Sequence, residues 1–450
     1  MRYYIFLSLA ASLILSCSKI TNVPPDSDAK PFKTLDEAQA LLDDDRVMNG
    51  YGDGGYPSMT VISSDEYFSS DYQYDNYSPV NRQAMTWAPQ IQMGSYFPDW
   101  DLSYRTVGTA NTVFSKLEDI GRAILPQKWD AVNARGHFYR AYAVYDLAQL
   151  FCPAYDSASA ATDLGLPLPQ SADLNEPISR STVQQTYDQI TRDLHIAEGV
   201  PARDNEWLPT RPSLAAVHAM FARIYLNARD YTLALSYADA CLLLQPDLMS
   251  YDTIDKTKRF PFSRWNPEVI FCSAYYRSGP ARPGNSYVDT NILRSYDHND
   301  LRKTLFFNSD GTFRGTYDQD GMCFGGIATD EVWLIRSECR ARTGDVTGAM
   351  EDLNHLLATR WAAGTFVPYA AANRDDALQL ILQERRKELL FRGTRWTDLR
   401  RLNKDRTTAH DITRTVKGTI YTLPYNSARW VLPIPDYVLR FNPGMPDNDR

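Results

Sequence analysis

Two copies of a helix-pair pattern constrain most strongly what this 450-residue chain can fold into. The pattern is that of the tetratricopeptide repeat, in which small residues at fixed offsets let two helices pack closely. The first copy falls at His218, Phe221, Ala222, Tyr225, Ala234, Ala238 and Pro246. The second falls at Trp333, Ser337, Ala349 and Leu353 and lacks the tyrosine and the proline. Because such pairs bury their apolar faces only by stacking, the pattern predicts a mostly α-helical chain.

Helical periodicity extends beyond these copies. It predicts helices over 101–117, 129–151 and 375–402, the last broken near Gly393. Capping boxes at Thr34-Leu-Asp-Glu37 and Ser181-Thr-Val-Gln184 predict two further helix starts. Residues 50–100 and 247–329 show no helical period. We therefore expect long loops there, with a few short strands around Val269-Ile-Phe271 and a turn over 308–311.

The N-terminus predicts export and lipidation. Arg2 precedes an apolar run over 3–15 that is too short to span a bilayer comfortably, and Ser16-Cys17 ends it. A small residue before such a cysteine is typical of a bacterial lipoprotein signal, so we expect residues 1–17 to form the signal and Cys17 to carry the acyl chains. An ordinary secretory peptide with a chance cysteine is the alternative. Residues 18–33 predict a polar tether, and one domain is expected over 34–450.

Charge and motif content exclude several classes of function. The formal net charge of −8 disfavours a nucleic-acid partner, which needs a basic face. The chain has no His-Glu-x-x-His or Gly-x-Ser-x-Gly pattern, so neither a zinc hydrolase nor a serine hydrolase is expected, and no cofactor or metal is predicted. Asp318-Gln-Asp320-Gly321 resembles part of a calcium loop but lacks its remaining acidic ligands, so a plain turn is favoured over calcium.

Aromatic and polar residues in the two irregular stretches are the candidate ligand contacts. Flat rings pack against sugar faces, and carboxylates and amides bond to hydroxyl groups. The candidates are Asp65, Tyr72, Tyr74, Asn76, Tyr77 and Trp87 in the first stretch and Tyr276, Arg277 and Tyr296 in the second. Packing against the helices is the alternative for each of them.

The C-terminal third carries a recognisable motif. Glu384-Arg-Arg-Lys-Glu388-Leu-Leu-Phe-Arg-Gly393-Thr-Arg395-Trp396-Thr-Asp398-Leu-Arg-Arg401 resembles the signature helix of the SusD/RagB family. Val431-Leu-Pro433-Ile-Pro435 with Asn442-Pro443 resembles its closing segment. Upstream landmarks follow in the family's order at Asn111, Arg140-Ala141-Tyr142, Arg180-Ser181-Thr182 and Ala222-Arg223-Ile-Tyr225-Leu. The departures at Arg392-Gly393 and Pro446-Asp-Asn448, where the family often has Glu-Gly and Gln-Asn, concern local contacts only.

The resemblance implies a mostly α SusD-like fold with tetratricopeptide-like helix pairs and an irregular, loop-rich ligand-binding half. Within the single domain it implies an N-terminal part over about 34–246, an insertion over 247–329 and a C-terminal part over 330–450. It implies no catalytic role, but a lipoprotein of the outer membrane that faces the cell exterior. Its partner would be a SusC-like TonB-dependent barrel, to which the chain delivers captured oligosaccharides.

Two other readings of the function stay open. The same scaffold is compatible with peptide capture, and a tetratricopeptide scaffold that binds only proteins is the third possibility. Glu384 and Glu388 lie one turn apart on the signature helix, too close together to bracket a glycosidic bond in the usual way. We therefore expect them to form ion pairs with neighbouring elements.

Overall fold

The computed structural model describes residues 33–51, 57–173, 178–201, 208–319 and 321–450. The predicted signal, Cys17 and nearly all of the predicted tether lie outside these residues. The described residues form seventeen α-helices and eight short strands, which confirms the mostly α fold with few strands. None of these helices combines the length and the apolar character needed to cross a bilayer.

The helices in chain order are α1 (Leu35–Leu42), α2 (Asp45–Met48), α3 (Met59–Ile62), α4 (Asp71–Asn76), α5 (Pro79–Met85), α6 (Pro98–Ile120), α7 (Pro126–Phe151), α8 (Val183–Ala197), α9 (Leu214–Ala228), α10 (Tyr231–Leu244), α11 (Thr290–Ser295), α12 (Arg302–Leu305), α13 (Thr329–Thr343), α14 (Val346–Ala358), α15 (Arg374–Glu388), α16 (Thr394–Leu402) and α17 (Asp436–Phe441). The strands are β1 (Tyr67–Phe68), β2 (Leu164–Pro167), β3 (Arg180–Thr182), β4 (Val269–Phe271), β5 (Tyr287–Val288), β6 (Ile327–Ala328), β7 (Ile412–Val416) and β8 (Thr419–Leu423). They pair antiparallel as β1–β5, β2–β3, β4–β6 and β7–β8.

The two copies of the helix-pair pattern form the pairs α9–α10 and α13–α14. In each pair the first helix ends in a left-handed residue, Arg229 at φ 65° or Gly344 at φ 99°. The next residue, Asp230 or Asp345, caps the second helix through its side chain. Helix α10 packs against α13, so the two pairs stack although the irregular 247–329 stretch separates them in the chain. Helices α6, α7 and α8 pack consecutively beside them.

The structure corrects the sequence reading in three places. Residues 50–100 are not one long loop, because they hold α3, α4 and α5 as well as the start of α6. The 247–329 stretch likewise holds the short helices α11 and α12 besides its strands. Ser70 with Gln73 forms a capping box on α4, but helices of six or seven residues are too short to show a period. The second predicted capping box lies one residue further on, at Thr182 and Gln185, because Thr182 is both the last residue of strand β3 and the N-cap of α8.

The signature motif folds into α15 and α16, with the break at Gly393 that the sequence predicts. Its charges are internal. Arg302 is completely buried and donates to Glu384 at 2.7 Å and to Glu388 at 2.9 Å. Arg360 donates to the other oxygen of Glu388 at 2.8 Å. The predicted ion pairs of the two glutamates are therefore confirmed, and they join α15 to the irregular 247–329 stretch and to the end of α14.

Candidate ligand-binding site

Two irregular stretches of the sequence meet at one pocket. The hydroxyl of Tyr77 donates to the carbonyl oxygen of Asn285 at 2.7 Å, across 208 residues of chain. The amide of Asn81 donates to the hydroxyl of Ser278 at 2.8 Å. These two hydrogen bonds join the α4–α5 segment to the 277–285 loop. The pocket between them, called the polar pocket below, has a volume of about 490 Å³ and is lined by Tyr72, Gln73, Asn76, Tyr77, Ser78, Asn81, Arg277, Ser278, Gly279 and Asn285.

Asn81 is the most unusual of these residues. Its side chain is only 2% exposed, yet its Oδ1 has no hydrogen-bond partner among the described residues. Gly279 lies against it at φ +44°, and a Cβ there would come within 2.4 Å of the Asn81 amide nitrogen. A buried acceptor without a donor is costly, and a hydroxyl group entering the pocket would remove that cost.

Tyr72 supplies an aromatic surface at the same pocket. Its ring is 80% exposed on α4, and the side chain of Asn76 donates to its carbonyl oxygen at 2.7 Å. An exposed ring beside a polar pocket offers a flat apolar face to a ligand bound there.

A second aromatic surface flanks the pocket on strands β1 and β5. Phe68 and Tyr287 are cross-strand partners whose rings stack with centroids 5.3 Å apart. The hydroxyls of Ser69 and Tyr77 lie 3.1 Å apart, so this strand adjoins the polar pocket. Strands of two residues carry no alternation that sequence analysis can detect.

Four of the nine predicted ligand contacts line the pocket, namely Tyr72, Asn76, Tyr77 and Arg277. Tyr77 is nearly buried and its hydroxyl is engaged with the 285–286 backbone and side chain, so its clearest role is to hold the pocket together. Tyr74 lies outside the lining, with the guanidinium of Arg82 over its ring at 5.9 Å. Tyr276 is half-buried and also lies outside the lining.

Asp65, Trp87 and Tyr296 require correction, because the structure places Trp87 and Tyr296 in the interior and engages Asp65 in ion pairs away from the pocket. Trp87 is 1% exposed, and its indole donates to the carbonyl oxygen of Ser63 at 2.9 Å. The Tyr296 ring is buried, and its hydroxyl donates to the carbonyl oxygen of Lys387 at 2.8 Å. None of the three side chains faces the polar pocket.

Asp65 serves as an internal counter-ion. It accepts from Arg395 at 2.7 Å and from Arg386 at 3.0 Å. Burial raises the pKa of the Asp65 carboxyl, but the two guanidiniums outweigh burial and hold it well below its usual range. The carboxylate is therefore committed to tying strand β1 and its preceding turn to α15 and α16.

The chemistry of the pocket suits binding. Its lining holds hydroxyls, amides and one guanidinium, and no carboxylate or imidazole among the described residues. Carboxyls whose pKa burial raises lie in the interior instead, as at Glu66 and Asp146, each with a pKa of about 7. The described residues contain no cluster of three or more His, Cys, Asp or Glu placed to hold a metal. Asp318 is buried and Asp320 lies outside the described residues, so calcium stays an untested alternative.

Comparison with known proteins gives the family. Residues 23–226 match a family model described as "Starch-binding associating with outer membrane", of the SusD-like type. Residues 329–449 match the model of the SusD family, SusD/RagB. SusD-like protein P2 of Formosa agariphila is 29% identical over 67% of this chain and 71% of its own length.

Solved structures agree on the fold. A SusD superfamily protein from Bacteroides thetaiotaomicron is 20% identical, with a TM-score of 0.74 over 93% of this chain and 100% of the other. A SusD-like carbohydrate binding protein from Bacteroides vulgatus is 19% identical, with a TM-score of 0.68 over 92% and 98%. The chain belongs to the SusD/RagB family. Residues 227–328, which the two family models leave out, contribute Arg277 and the 278–285 wall of the polar pocket.

Proposed function

We propose that this protein captures oligosaccharides in the polar pocket, as part of nutrient uptake at the outer membrane. The observation that carries the proposal is the unpaired acceptor of buried Asn81 beside the exposed ring of Tyr72. A sugar presents both a hydroxyl donor and an apolar ring face, which match these two features at once. The descriptions of the family and of the Bacteroides vulgatus relative, starch-binding and carbohydrate binding, support the same class of ligand.

Peptide capture on the same scaffold is the second candidate. A backbone N–H would also satisfy the Asn81 oxygen. The lining, however, is rich in amides and hydroxyls and offers no apolar recess for a side chain. Affinity for peptides through such a surface would depend on the backbone alone, so the pocket favours glycans.

A binding screen tests the proposal. The chain beginning after Cys17 is run through native gels that contain single polysaccharides, and calorimetry follows with the corresponding oligosaccharides and with peptide mixtures. We expect retardation by one glycan class and no hydrolysis products. Binding to peptides alone would replace the glycan proposal, and binding to neither would refute capture.

Substitutions then locate the site. Removing the Tyr72 ring is expected to weaken glycan binding by about two- to tenfold, since one aromatic contact is worth about 0.5–1.5 kcal/mol. Asn81→Ala should weaken it comparably, because the buried acceptor is lost. Tyr96→Ala is the matched control, since Tyr96 is 56% exposed and lies outside the polar pocket. If all three variants lost glycan affinity equally, the polar pocket would not be the binding site.

We also propose that Cys17 is acylated, that the anchored protein faces the cell exterior, and that a SusC-like TonB-dependent barrel receives the captured glycan. The N-terminal signal pattern and the family's association with the outer membrane support these three steps. Protease treatment of intact cells should degrade the wild-type protein, whereas Cys17→Ala should leave it in the soluble fraction. Affinity purification from solubilised outer membranes should recover a barrel of this class. Its absence would refute the delivery step while leaving capture intact.

A further inference from the structure

Arg400 on α16 is a buried cation without a carboxylate partner among the described residues. Its side chain is 3% exposed, and its two Nη groups donate to the carbonyl oxygens of Gln149 and Cys152. Its Nε has no hydrogen-bond partner. Burial lowers the pKa of this guanidinium, and the neighbouring groups that oppose this effect are Tyr187, Cys152 and Tyr145, not carboxylates.

The neighbouring Arg401 shows the usual solution for a buried guanidinium. It is equally buried, and it pairs with both oxygens of Glu338 at 2.7 Å and with Asp398 at 2.8 Å. A buried charge that lacks such a counter-ion is destabilising, because backbone carbonyls replace only part of its lost hydration. The two carbonyls that Arg400 contacts lie at the C-terminal end of α7, whose partial negative charge compensates part of the buried charge, and no carboxylate among the described residues supplies the rest.

A pocket that is open to solvent has Arg400 in its wall. The residue lines an open pocket of about 630 Å³, within the range of small-molecule sites. This second pocket, called the Arg400 pocket below, shares no residue with the polar pocket, and its lining includes Asp163, Arg400, Asn403, Lys404, Tyr425 and Asp449.

Its lining holds further groups suited to a sugar acid. The Nδ2 of Asn403 is buried and has no hydrogen-bond partner among the described residues. The ammonium of Lys404 is one-third exposed and pairs with Asp156 at 3.3 Å. The ring of Tyr425 is 43% exposed. Two carboxylates, Asp163 and Asp449, also line the pocket and disfavour a ligand that carries several negative charges.

We propose that the Arg400 pocket is a second binding site, which takes the carboxylate or sulfate of a singly charged acidic sugar. The free Nε–H of Arg400 donates to an oxygen of the anion, and the Asn403 amide donates to a second oxygen. The ring of Tyr425 lies against the sugar face. That the anion belongs to a sugar rests on the proposed function, whereas the anion site itself rests on Arg400.

Calorimetric titration of the chain beginning after Cys17 tests the proposal. The probes are galacturonate, glucose 6-sulfate, glucose and inorganic sulfate at low ionic strength. We expect the two acidic sugars to bind at least about tenfold more tightly than glucose, with an affinity that falls as salt is added. Equal binding of glucose, or no binding of any anion, would overturn the site. Binding of inorganic sulfate alone would overturn the sugar ligand.

Substitutions at the rim assign the binding to this pocket. Arg400→Met removes two hydrogen bonds to the end of α7 and is expected to lower stability, so two milder variants carry the test. Lys404→Ala should weaken galacturonate binding by about threefold, and Asp163→Asn should strengthen it by about threefold, since each changes one nearby charge. Trp265→Ala, at a ring 43% exposed and outside both pockets, should change nothing.

The results also separate this site from the polar pocket. One outcome is that Lys404→Ala and Asp163→Asn change galacturonate affinity while the wild-type protein binds no neutral glycan in the screen. That outcome would refute the proposed function and leave the anion site supported. Galacturonate binding that ignores both substitutions would refute the anion site and leave glycan capture untouched.

Discussion

Replacing Arg302 by methionine is expected to destabilise the protein more than any loss of a surface charge. Arg302 is fully buried and donates to three carboxylates, those of Asp300 at 2.7 Å, Glu384 at 2.7 Å and Glu388 at 2.9 Å. Methionine fills similar space without charge. The variant therefore removes the cation and leaves its three partners in the interior.

The magnitude follows from which partners remain. Lys387 still contacts Glu384 at 2.8 Å and Asp300 at 3.4 Å, and Arg360 still contacts Glu388. No carboxylate is left entirely without a cation, so we expect the lower part of the range for a broken buried pair, about 3–4 kcal/mol. With an unfolding entropy of about 2.1 cal/mol/K per residue, that loss corresponds to a fall in Tm of roughly 3–5 °C for a chain of this length.

Urea unfolding followed by circular dichroism measures the difference. Arg46→Met is the matched control, because its side chain is 74% exposed and its contact with Asp44 is 3.5 Å long. That control should change the free energy of unfolding by less than about 0.5 kcal/mol. Burial raises the pKa of Asp300, but Arg302 outweighs burial and keeps it below its usual range. Without Arg302 the carboxyl takes up a proton more readily, so the deficit should shrink between pH 7 and pH 5.

An Arg302→Met protein within 1 kcal/mol of the wild type at pH 7 would refute this reasoning. It would mean that the interior reorganises or admits water around the three carboxylates. A deficit that stays constant with pH would refute the electrostatic cause and point to lost packing.

Three further predictions concern stability and reactivity. Burial raises the pKa of Asp146 to about 7 from an ordinary 3.8, so folding takes up a proton and the free energy of unfolding falls as the pH rises from about 4 to about 7. Asp146→Asn should reduce the difference in free energy of unfolding between pH 5 and pH 8, measured by urea unfolding. An unchanged difference would contradict the prediction. Gly393→Ala should lower the free energy of unfolding by about 1–3 kcal/mol, because Gly393 has φ +76° and the new Cβ would lie 2.9 Å from Thr60 Oγ1. Gly418→Ala, at φ +75° but with open space around the new Cβ, should lower it by less. Equal losses in the two variants would show that the Thr60 contact contributes nothing. The five described cysteines are free and buried, and burial raises the pKa of the Cys152 and Cys272 thiols to about 12. A thiol reagent at pH 8 should therefore modify none of the five until the chain unfolds. Rapid modification of the native protein would contradict this burial.

The parts of the fold that the sequence predicts are those set by local rules. The helix pairs follow from small residues at helical spacing, and the second helix of the signature motif begins after Gly393 because this left-handed residue stands outside the α-helical conformation, as the N-cap of α16. Both effects act within about one turn of chain. The buried contacts of Glu384 and Glu388 were predictable as ion pairs, but Arg302 as their shared partner was not, because it lies more than 80 residues away.

The candidate site was predictable only in part, for the same reason. Tyr72 and Arg277 stand in polar stretches, where exposure is the natural expectation, and both line the polar pocket. Trp87 stands in a similar stretch but is covered by Arg414, whose guanidinium lies 5.1 Å from its ring. Asn81 gave no signal, because its significance lies in an oxygen left unpaired by tertiary packing. Local composition therefore identified the region of the site, and long-range contacts decided which residues face it.

A crystal structure of the protein with the oligosaccharide retained in the binding screen tests glycan capture most directly. We expect a sugar ring against Tyr72 and a sugar hydroxyl within hydrogen-bond distance of the Asn81 Oδ1, with the loop over 277–285 in contact with the ligand. An oligosaccharide bound elsewhere, with the polar pocket filled only by water, would contradict the assignment of the site.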